Sequence, residues 1–594
     1  MPVMNRTLLL GGLLTIVPAL PLSAQESCFQ GRINEINVSN GSIVDEAEMP
    51  SGLLGFAYRM ANRLHIRTRE DFLRSELLFE VGDCYDPFLI EDSERLLRRY
   101  GFLSEVAVSA ARDDGDGWRV QVSTQDEWSS RLETTVDFDN GINLRQIAVA
   151  ETNVAGRGIT LRGFLQQNDA ERLLGGTVAL PRLLGTRANL GLSLGTTRIG
   201  DFRAAQISYP FVGEVGRWAG QVAYSEVEDY FSYSRGDVRQ PGYILLPVND
   251  QRYAVTLATR FGEPGNLAIL GVGISREELE FPGYPGSVEI VDRDEFGSTA
   301  EADLATADSL FGQTAVASGT RLNLLLGQRN IRFVQRTGLD ALRGVQDVEV
   351  GTDISLTLGR TINQPGPGAA DDLLVRLRFF GALAPAPWTL VTNFSIEGRQ
   401  LFFDPSRDRS GWRDVLAELD ALLYLQPPRY PSHTLLAKVS AAGGWAVDVP
   451  YQLTLGGRRS VRGFDDADFA GGRRLVLTLE DRIYFGWPFP ETFDLGGTLF
   501  ADAGRTWAGD VPFGVDSGWK GTVGAGLRFG FPSGSRGIVR LDLAHPIGSG
   551  AGARGLTLRI SGTDLVGLIN GIADPQVDRS RLSRTGPDRF TPAR

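Results

Sequence analysis

The side chains that most often carry chemistry are few in this chain: three histidines (His65, His433, His545), two cysteines (Cys28, Cys84) and one Gly-x-Ser-x-Gly pattern centred on Ser193. That pattern has the spacing of a hydrolase nucleophile elbow, where a strand turns sharply into a helix. Here it lies inside an alternating run, "ANLGLSLGTT", with no helix after it. The histidines fall in separate segments, so neither a nucleophile–base pair nor a metal cluster is suggested. No glycine-lysine phosphate loop is found either. The expectation is a protein that is not an enzyme and uses no metal or cofactor. What stands out instead is "RRSVRGFDDADF" (458–469), three arginines and three aspartates around Val461, Arg462, Gly463 and Phe464. An arginine stays charged and can grip a carboxylate through two parallel hydrogen bonds. Gly463 permits a tight turn, and Phe464 offers an apolar edge.

The elements that must position this stretch are short alternating runs. From about residue 130 to 566 no long helix is expected; runs of eight to twelve residues are separated by Gly, Asp, Asn and Pro. In "GIVRLDLAHP", Val539, Leu541 and Leu543 share one face and Arg540 and Asp542 the other. A soluble sandwich alternates in the same way. Charge on the polar face, run lengths suited to a tilted span, and connections as unequal as "PRLLGTR" and residues 277–318 favour a membrane barrel. Beyond the N-terminus no stretch of about 18 apolar residues exists, which leaves a closed barrel as the spanning form. Up to twenty candidate strands can be counted, five of them after the Arg462 stretch. In the first of these, Glu480 shares a face with Thr478 and Arg482, opposite Leu477 and Leu479, and is expected to point into the lumen.

Composition agrees with a folded, non-helical chain: 72 glycines in 594 residues, 42% hydrophobic and 9% aromatic. The net charge of −12 is spread along the sequence, and no basic face for nucleic acid is expected. Residues 1–24 carry one basic residue, an apolar run and a small-residue cleavage pattern at Leu22-Ser23-Ala24, which predicts a signal peptide. Export to an oxidising compartment makes Cys28 and Cys84 the expected disulfide, worth about 4 kcal/mol on the chain-entropy model. Two free thiols are the alternative. Between 25 and 128 the periodicity becomes mixed. "GRINEINVSN" reads as a strand, residues 52–64 and 69–79 have helical spacing, and "DPFLIEDSERLLRRYG" is a helix capped by Asp86 with Pro87 first; two strands follow.

That order, with "LLFEVGDCYD" before the marked helix and "RRYGFLSEVAV" after it, resembles the POTRA domain of outer-membrane assembly proteins; an unrelated α+β module is the alternative. Val461-Arg462-Gly463-Phe464 matches, position by position, the signature of the BamA/TamA superfamily, and the chain as a whole resembles that family. The resemblance implies a mainly β fold: a transmembrane antiparallel β-barrel of sixteen strands at 130–566, preceded by one small α+β POTRA-like periplasmic domain at 25–128. It places the protein in the bacterial outer membrane. It also implies that the loop folds back into the lumen, where Arg462 meets Glu480 and Asp502 on the next two strands. The implied function is insertion or translocation of polypeptides. The implied partners are outer-membrane lipids, unfolded or extended client polypeptides, and a periplasmic or inner-membrane partner through POTRA. A passive channel or surface barrel is the alternative. One feature departs from the family: many members end on an aromatic residue in the last strand, whereas this chain continues about 30 residues past Ile560. Residues 567–594 are expected to be a polar, flexible tail.

Overall fold

The computed structural model describes residues 28–43, 62, 63, 65–113, 115, 117–137, 143–168, 170–235, 242–283, 286–291, 296–362, 370–404, 409–456, 460–464, 468–547, 556–564 and 574–581. The expected signal peptide and most of the helical pattern at 52–64 lie outside them. The N-terminal part comprises β1 (Ile33–Gly41), α1 (Glu70–Glu76), α2 (Pro87–Arg98), β2 (Leu103–Arg112) and β3 (Trp118–Asp126). β3 is central, parallel to β1 and antiparallel to β2. Its period of two turns Val120 and Val122 to the covered face, where they join a core with Leu73 of α1 and Leu97 of α2. α2 starts as its sequence dictates. The Asp86 carboxylate accepts from the Phe88 N–H, and Pro87 occupies the first turn, where a missing N–H costs nothing. Cys28 and Cys84 are bonded through their sulfurs with Cα atoms 5.2 Å apart, which ties the chain before β1 to the entry of α2.

The remaining strands form a ring. Its first part is β4 (Ser130–Asp137), β5 (Asn143–Val154), β6 (Ile159–Asn168), β7 (Glu171–Leu180), β8 (Asn189–Thr196), β9 (Asp201–Tyr209), β10 (Trp218–Ser234), β11 (Tyr243–Glu263) and β12 (Asn266–Glu280). A long connection holds two short strands, β13 (Glu289–Val291) and β14 (Ala300–Glu301), and a helix, α3 (Leu304–Gln313). The ring resumes with β15 (Ala317–Thr337), β16 (Val345–Ile362), β17 (Asp371–Leu383), β18 (Trp388–Asp404), β19 (Arg409–Leu425) and β20 (His433–Trp445). After the Arg462 stretch come β21 (Arg473–Tyr484), β22 (Asp494–Trp507), β23 (Lys520–Gly530), β24 (Gly537–Ile547) and β25 (Thr557–Asp564). Each strand of the ring pairs with the next, β12 with β15 across the long connection, and β25 returns to β4, while β13 pairs with β11 and β14. Leaving aside β13 and β14, the barrel has twenty strands, which corrects the sixteen implied by family resemblance. The physical reason is that a spanning run left out of the ladder would carry unpaired N–H and C=O groups into lipid.

Side-chain parity decides between a soluble β-protein and a membrane barrel. Leu479 is 61% exposed, while its neighbour Glu480 is 7% exposed. The same inversion recurs on β23, where Leu527 is exposed and Arg528 buried, and on β24, where Leu541 and Leu543 are exposed and Asp542 buried. Leaving each such leucine in water forgoes about 1.5–3 kcal/mol. A surface built this way is stable only against lipid, and the chain is a barrel of the outer-membrane type. No described helix is long and apolar enough to cross a membrane.

The N-terminal part packs on the short-turn end of the barrel. Arg536, in the β23–β24 turn, donates to the carbonyls of Arg98, Tyr100 (3.0 Å) and Leu103 (2.7 Å). Arg98 in turn grips Asp347 of β16 through two hydrogen bonds of 2.8 and 3.1 Å. Arg182, in the β7–β8 turn, reaches Glu76 of α1 at 2.7 Å, and Asp92 of α2 accepts from the Glu214 N–H at 2.7 Å. Two further differences from expectation lie at the other end and in the lumen. The connection expected at 277–318 contains α3, a helix made worthwhile by Ala307 and Leu310, which bury against Tyr233 and Ile244. Residues 574–581, expected as flexible tail, are folded inside the barrel with a short helix, α4 (Pro575–Asp578), because the lumen supplies partners for their polar groups.

Candidate functional site: a loop anchored in the lumen

The stretch between β20 and β21 turns back on itself. Leu453 and Gly471 exchange two backbone hydrogen bonds of 2.8 Å, and the Leu455 N–H donates to the Asp468 carbonyl. Residues 457–459 and 465–467, which include Arg458, Arg459, Asp465 and Asp466, lie outside the described residues. The tip carries the Val461-Arg462-Gly463-Phe464 motif. Val461 and Phe464 bury with Leu455 and with Val476 of β21, and Phe469 meets Phe464 edge to face. The fit is close: a Cβ on Gly504 of β22 would come within 2.6 Å of the Val461 side chain. Gly463 has φ +86°, the left-handed region, which lets the chain reverse against Pro546 of β24.

Arg462 is held on every side. Its Nε and one terminal nitrogen grip both oxygens of Asp502 on β22 at 2.6 and 2.8 Å, and the other terminal nitrogen reaches Glu480 on β21 at 3.0 Å. The guanidinium lies 3.5 Å over the ring of Phe500, so one of its flat faces is closed by a π surface while its N–H edge meets the carboxylates. Its own backbone joins in: the N–H donates to Asp502, and the carbonyl accepts from the Thr522 hydroxyl on β23 at 2.6 Å. One side chain thus touches β21 and β22 while its backbone touches β23 and its neighbour Gly463 abuts β24. Asp542 on β24 lies 3.8 Å from the guanidinium.

Glu480 belongs to a wider net. It accepts from Arg482 at 2.9 Å and from Arg540 at 3.3 Å, and Arg482 continues to Asp340 at 2.9 Å, which also takes the Tyr424 hydroxyl. Sequence reasoning named Arg462, Glu480 and Asp502, and the structure brings these three together. It placed Arg482, Arg540 and Asp542 on polar faces without making them partners, and it did not name Phe500, Thr522 or Asp340. Phe500 and Arg482 were findable, since each sits two residues from a named carboxylate on the same face. Asp340 lies in the β15–β16 turn, and nothing local marks it as a lumenal partner.

The other candidates are dispersed. Ser193 faces inward on β8, with its hydroxyl 3.1 Å from that of Thr177. His433 pairs with Asp481, and His545 is exposed on β24. His65 belongs to the N-terminal part, where its ring nitrogens face the Asn62 carbonyl at 2.8 Å and Asp126 at 3.2 Å. Two acceptors suit the doubly protonated ring, and the hydrogen bond to Asp126 raises the His65 pKa above its ordinary value. Among the described residues no cluster of three or more His, Cys, Asp or Glu could hold a metal ion.

No protein-family model matches the chain, and no curated protein matches its sequence. Solved structures are similar in fold. CdiB from Escherichia coli is 13% identical with a TM-score of 0.43, the match covering 92% of this chain and 93% of that one. BamA from Haemophilus ducreyi lacking POTRA domains 1–3 is 14% identical with a TM-score of 0.38, over 90% of this chain and 85% of that one. The outer membrane protein OpdK from Pseudomonas aeruginosa is 12% identical with a TM-score of 0.31, over 73% of this chain and 96% of that one. Scores this low carry no argument about what this barrel does.

Proposed function

We propose that this chain is an outer-membrane factor that inserts polypeptides into the membrane or passes them across it, with a POTRA-like domain on the periplasmic side. The observation that carries this reading is the closing seam. β25 and β4 share three registered pairs among the described residues, whereas β10 and β11 share a ladder running from Trp218–Thr259 to Ser234–Tyr243. In lipid each lost backbone pair has no water to replace it, so the seam is by far the cheapest place to part the ring. The anchored loop lies close by, since Gly463 abuts β24, the neighbour of β25. An open pore is disfavoured by the loop and tail that occupy the lumen.

The N-terminal sheet contributes β2, an edge strand on which an extended client could add its own backbone hydrogen bonds. That edge is guarded: Glu94 of α2 accepts from the Val108 N–H at 2.9 Å. A client strand must displace this carboxylate, which gives the edge a threshold for capture.

The test locks the seam. Ile560 and Val136 are registered partners, so Ile560→Cys with Val136→Cys provides a reversible staple across it. Oxidised, the stapled protein is expected to fold as a heat-modifiable barrel and to lose at least tenfold of its support for the outer-membrane proteome; reductant should restore it. A locked seam with an unchanged proteome would point instead to a passive channel or surface barrel.

A further inference from the structure

The tail beyond the last strand is built into the lumen. Val577 and Arg581 are fully buried, although they follow the strand that completes the ring. Arg581 sits between Glu397 of β18 at 2.8 Å and Glu418 of β19 at 2.6 Å. Arg579 reaches the far wall: it pairs with Glu171 of β7 at 2.9 Å and lies 4.1 Å over the ring of Phe231 on β10. Counting from β4 and omitting β13 and β14, β7 is fourth and β18 thirteenth of twenty, so these contacts join opposite sides of the ring.

The segment also grips the returning loop. The Gln576 side chain accepts from the Thr454 N–H at 3.1 Å and donates to its hydroxyl at 2.7 Å, while the Ser580 hydroxyl donates to the Pro450 carbonyl at 2.6 Å. Asp574 pairs with Arg474 of β21, and its N–H donates to Glu418. The space left beside Arg579 and Ser580 is about 40 Å³, room for water alone.

We propose that residues 574–581 are a tethered plug: an arginine-bearing segment of the chain's own C-terminal tail, seated in an acidic lumenal groove formed by Glu171, Glu397 and Glu418, that blocks the barrel and holds the returning loop in place. The chemistry is specific. Arg579 and Arg581, two positions apart, meet carboxylates on opposite walls, Arg581 fully buried and Arg579 partly so, while Asp574 meets Arg474, so the seat recognises this short segment by its pattern of charges. An extended cationic stretch of another polypeptide that enters the lumen competes for the same carboxylates, which makes release of the plug a response to cargo. The plug itself stands on the lumen's geometry; only its release by cargo rests on the proposed function above.

The experiment measures ion conductance in planar bilayers bathed in potassium chloride. A chain ending at residue 573 is expected to conduct several-fold more than the full chain, and Arg581→Ala to shift in the same direction. A synthetic peptide of residues 574–581 added to the truncated protein should return conductance towards that of the full chain. Unchanged conductance in a truncated barrel that still migrates as a folded species overturns the plug. A second measurement covers a truncation that fails to fold. Since Cys28 and Cys84 are bonded, Ser580→Cys introduces the sole free thiol of the full chain. A membrane-impermeant maleimide should label it at least tenfold more slowly in the native than in the denatured protein, and adding Glu397→Gln with Glu418→Gln should remove most of that protection. Equal labelling of native and denatured protein overturns the proposal.

Discussion

Arg462 compensates two carboxylates of unequal standing. Glu480 keeps Arg482 and Arg540 when Arg462 is removed, but Asp502, whose side chain is fully buried, loses its one cation among the described residues and is left with the backbone N–H at residue 462. The cost of Arg462→Ala therefore falls mainly on Asp502, at about 3–5 kcal/mol for a buried pair broken from one side. Limited proteolysis of the folded protein should show at least tenfold faster cleavage near 460–464, with barrel migration intact. Arg462→Lys should recover part of the protection, since an ammonium cannot span both Asp502 oxygens. His65 offers a second residue-scale test. Its pKa is raised in the folded state chiefly by the hydrogen bond to Asp126, with burial and, less, Arg67 opposing. Stability from this contact is complete below the ordinary value of 6.5 and is lost as pH rises through the higher folded value. Amide protection in the segment containing Thr68, whose N–H and hydroxyl also bond Asp126, should be several-fold greater at pH 5.5 than at pH 8.5 once exchange is corrected for its intrinsic dependence on pH. His65→Gln should flatten the difference.

At the scale of elements, the β23–β24 turn is the joint between the two parts of the molecule. Arg536 satisfies three carbonyls where α2 ends and β2 begins, and a bond to a charged donor contributes about 1.5–3 kcal/mol. Arg536→Ala should leave the barrel folded, because its ladder does not use this side chain. It should raise hydrogen exchange across 98–103 by tenfold or more. The disulfide acts elsewhere, on the entry to α2, so reduction alone should leave the Arg536 joint in place.

For the whole molecule, the governing fact is that apolar side chains point out and charged ones in. Leu479→Arg places a cation on the lipid face and is expected to cost about 2–4 kcal/mol near the bilayer midplane, less towards either interface. Insertion into preformed vesicles, followed by heat-modifiable migration, should fall severalfold. The neighbouring inward position tolerates charge by design, as Glu480 shows with its three arginine partners. The contrast between adjacent positions measures the orientation of the wall directly.

Period-two alternation is a local property, so it marks the candidate strands and the residues that share a face; Leu479 and Glu480 are separable by it alone. The cap at Asp86 and the tight Gly463 tip are local in the same sense, being written in residue type and spacing of a few positions, whereas Glu480 and Asp502 entered as partners of Arg462 through the family resemblance. Ring closure is not local. Whether a run joins the ladder depends on the strands that flank it in space, and the twenty strands and the seam of three pairs among the described residues follow from that closure. Contacts such as Arg482 with Asp340, or Arg581 with Glu397, join residues far apart in the chain, and no spacing rule connects them. A tail rich in polar residues reads as solvated because polar groups usually find water. Inside a charged lumen they find carboxylates and arginines instead, and that environment exists only once the wall has closed around it.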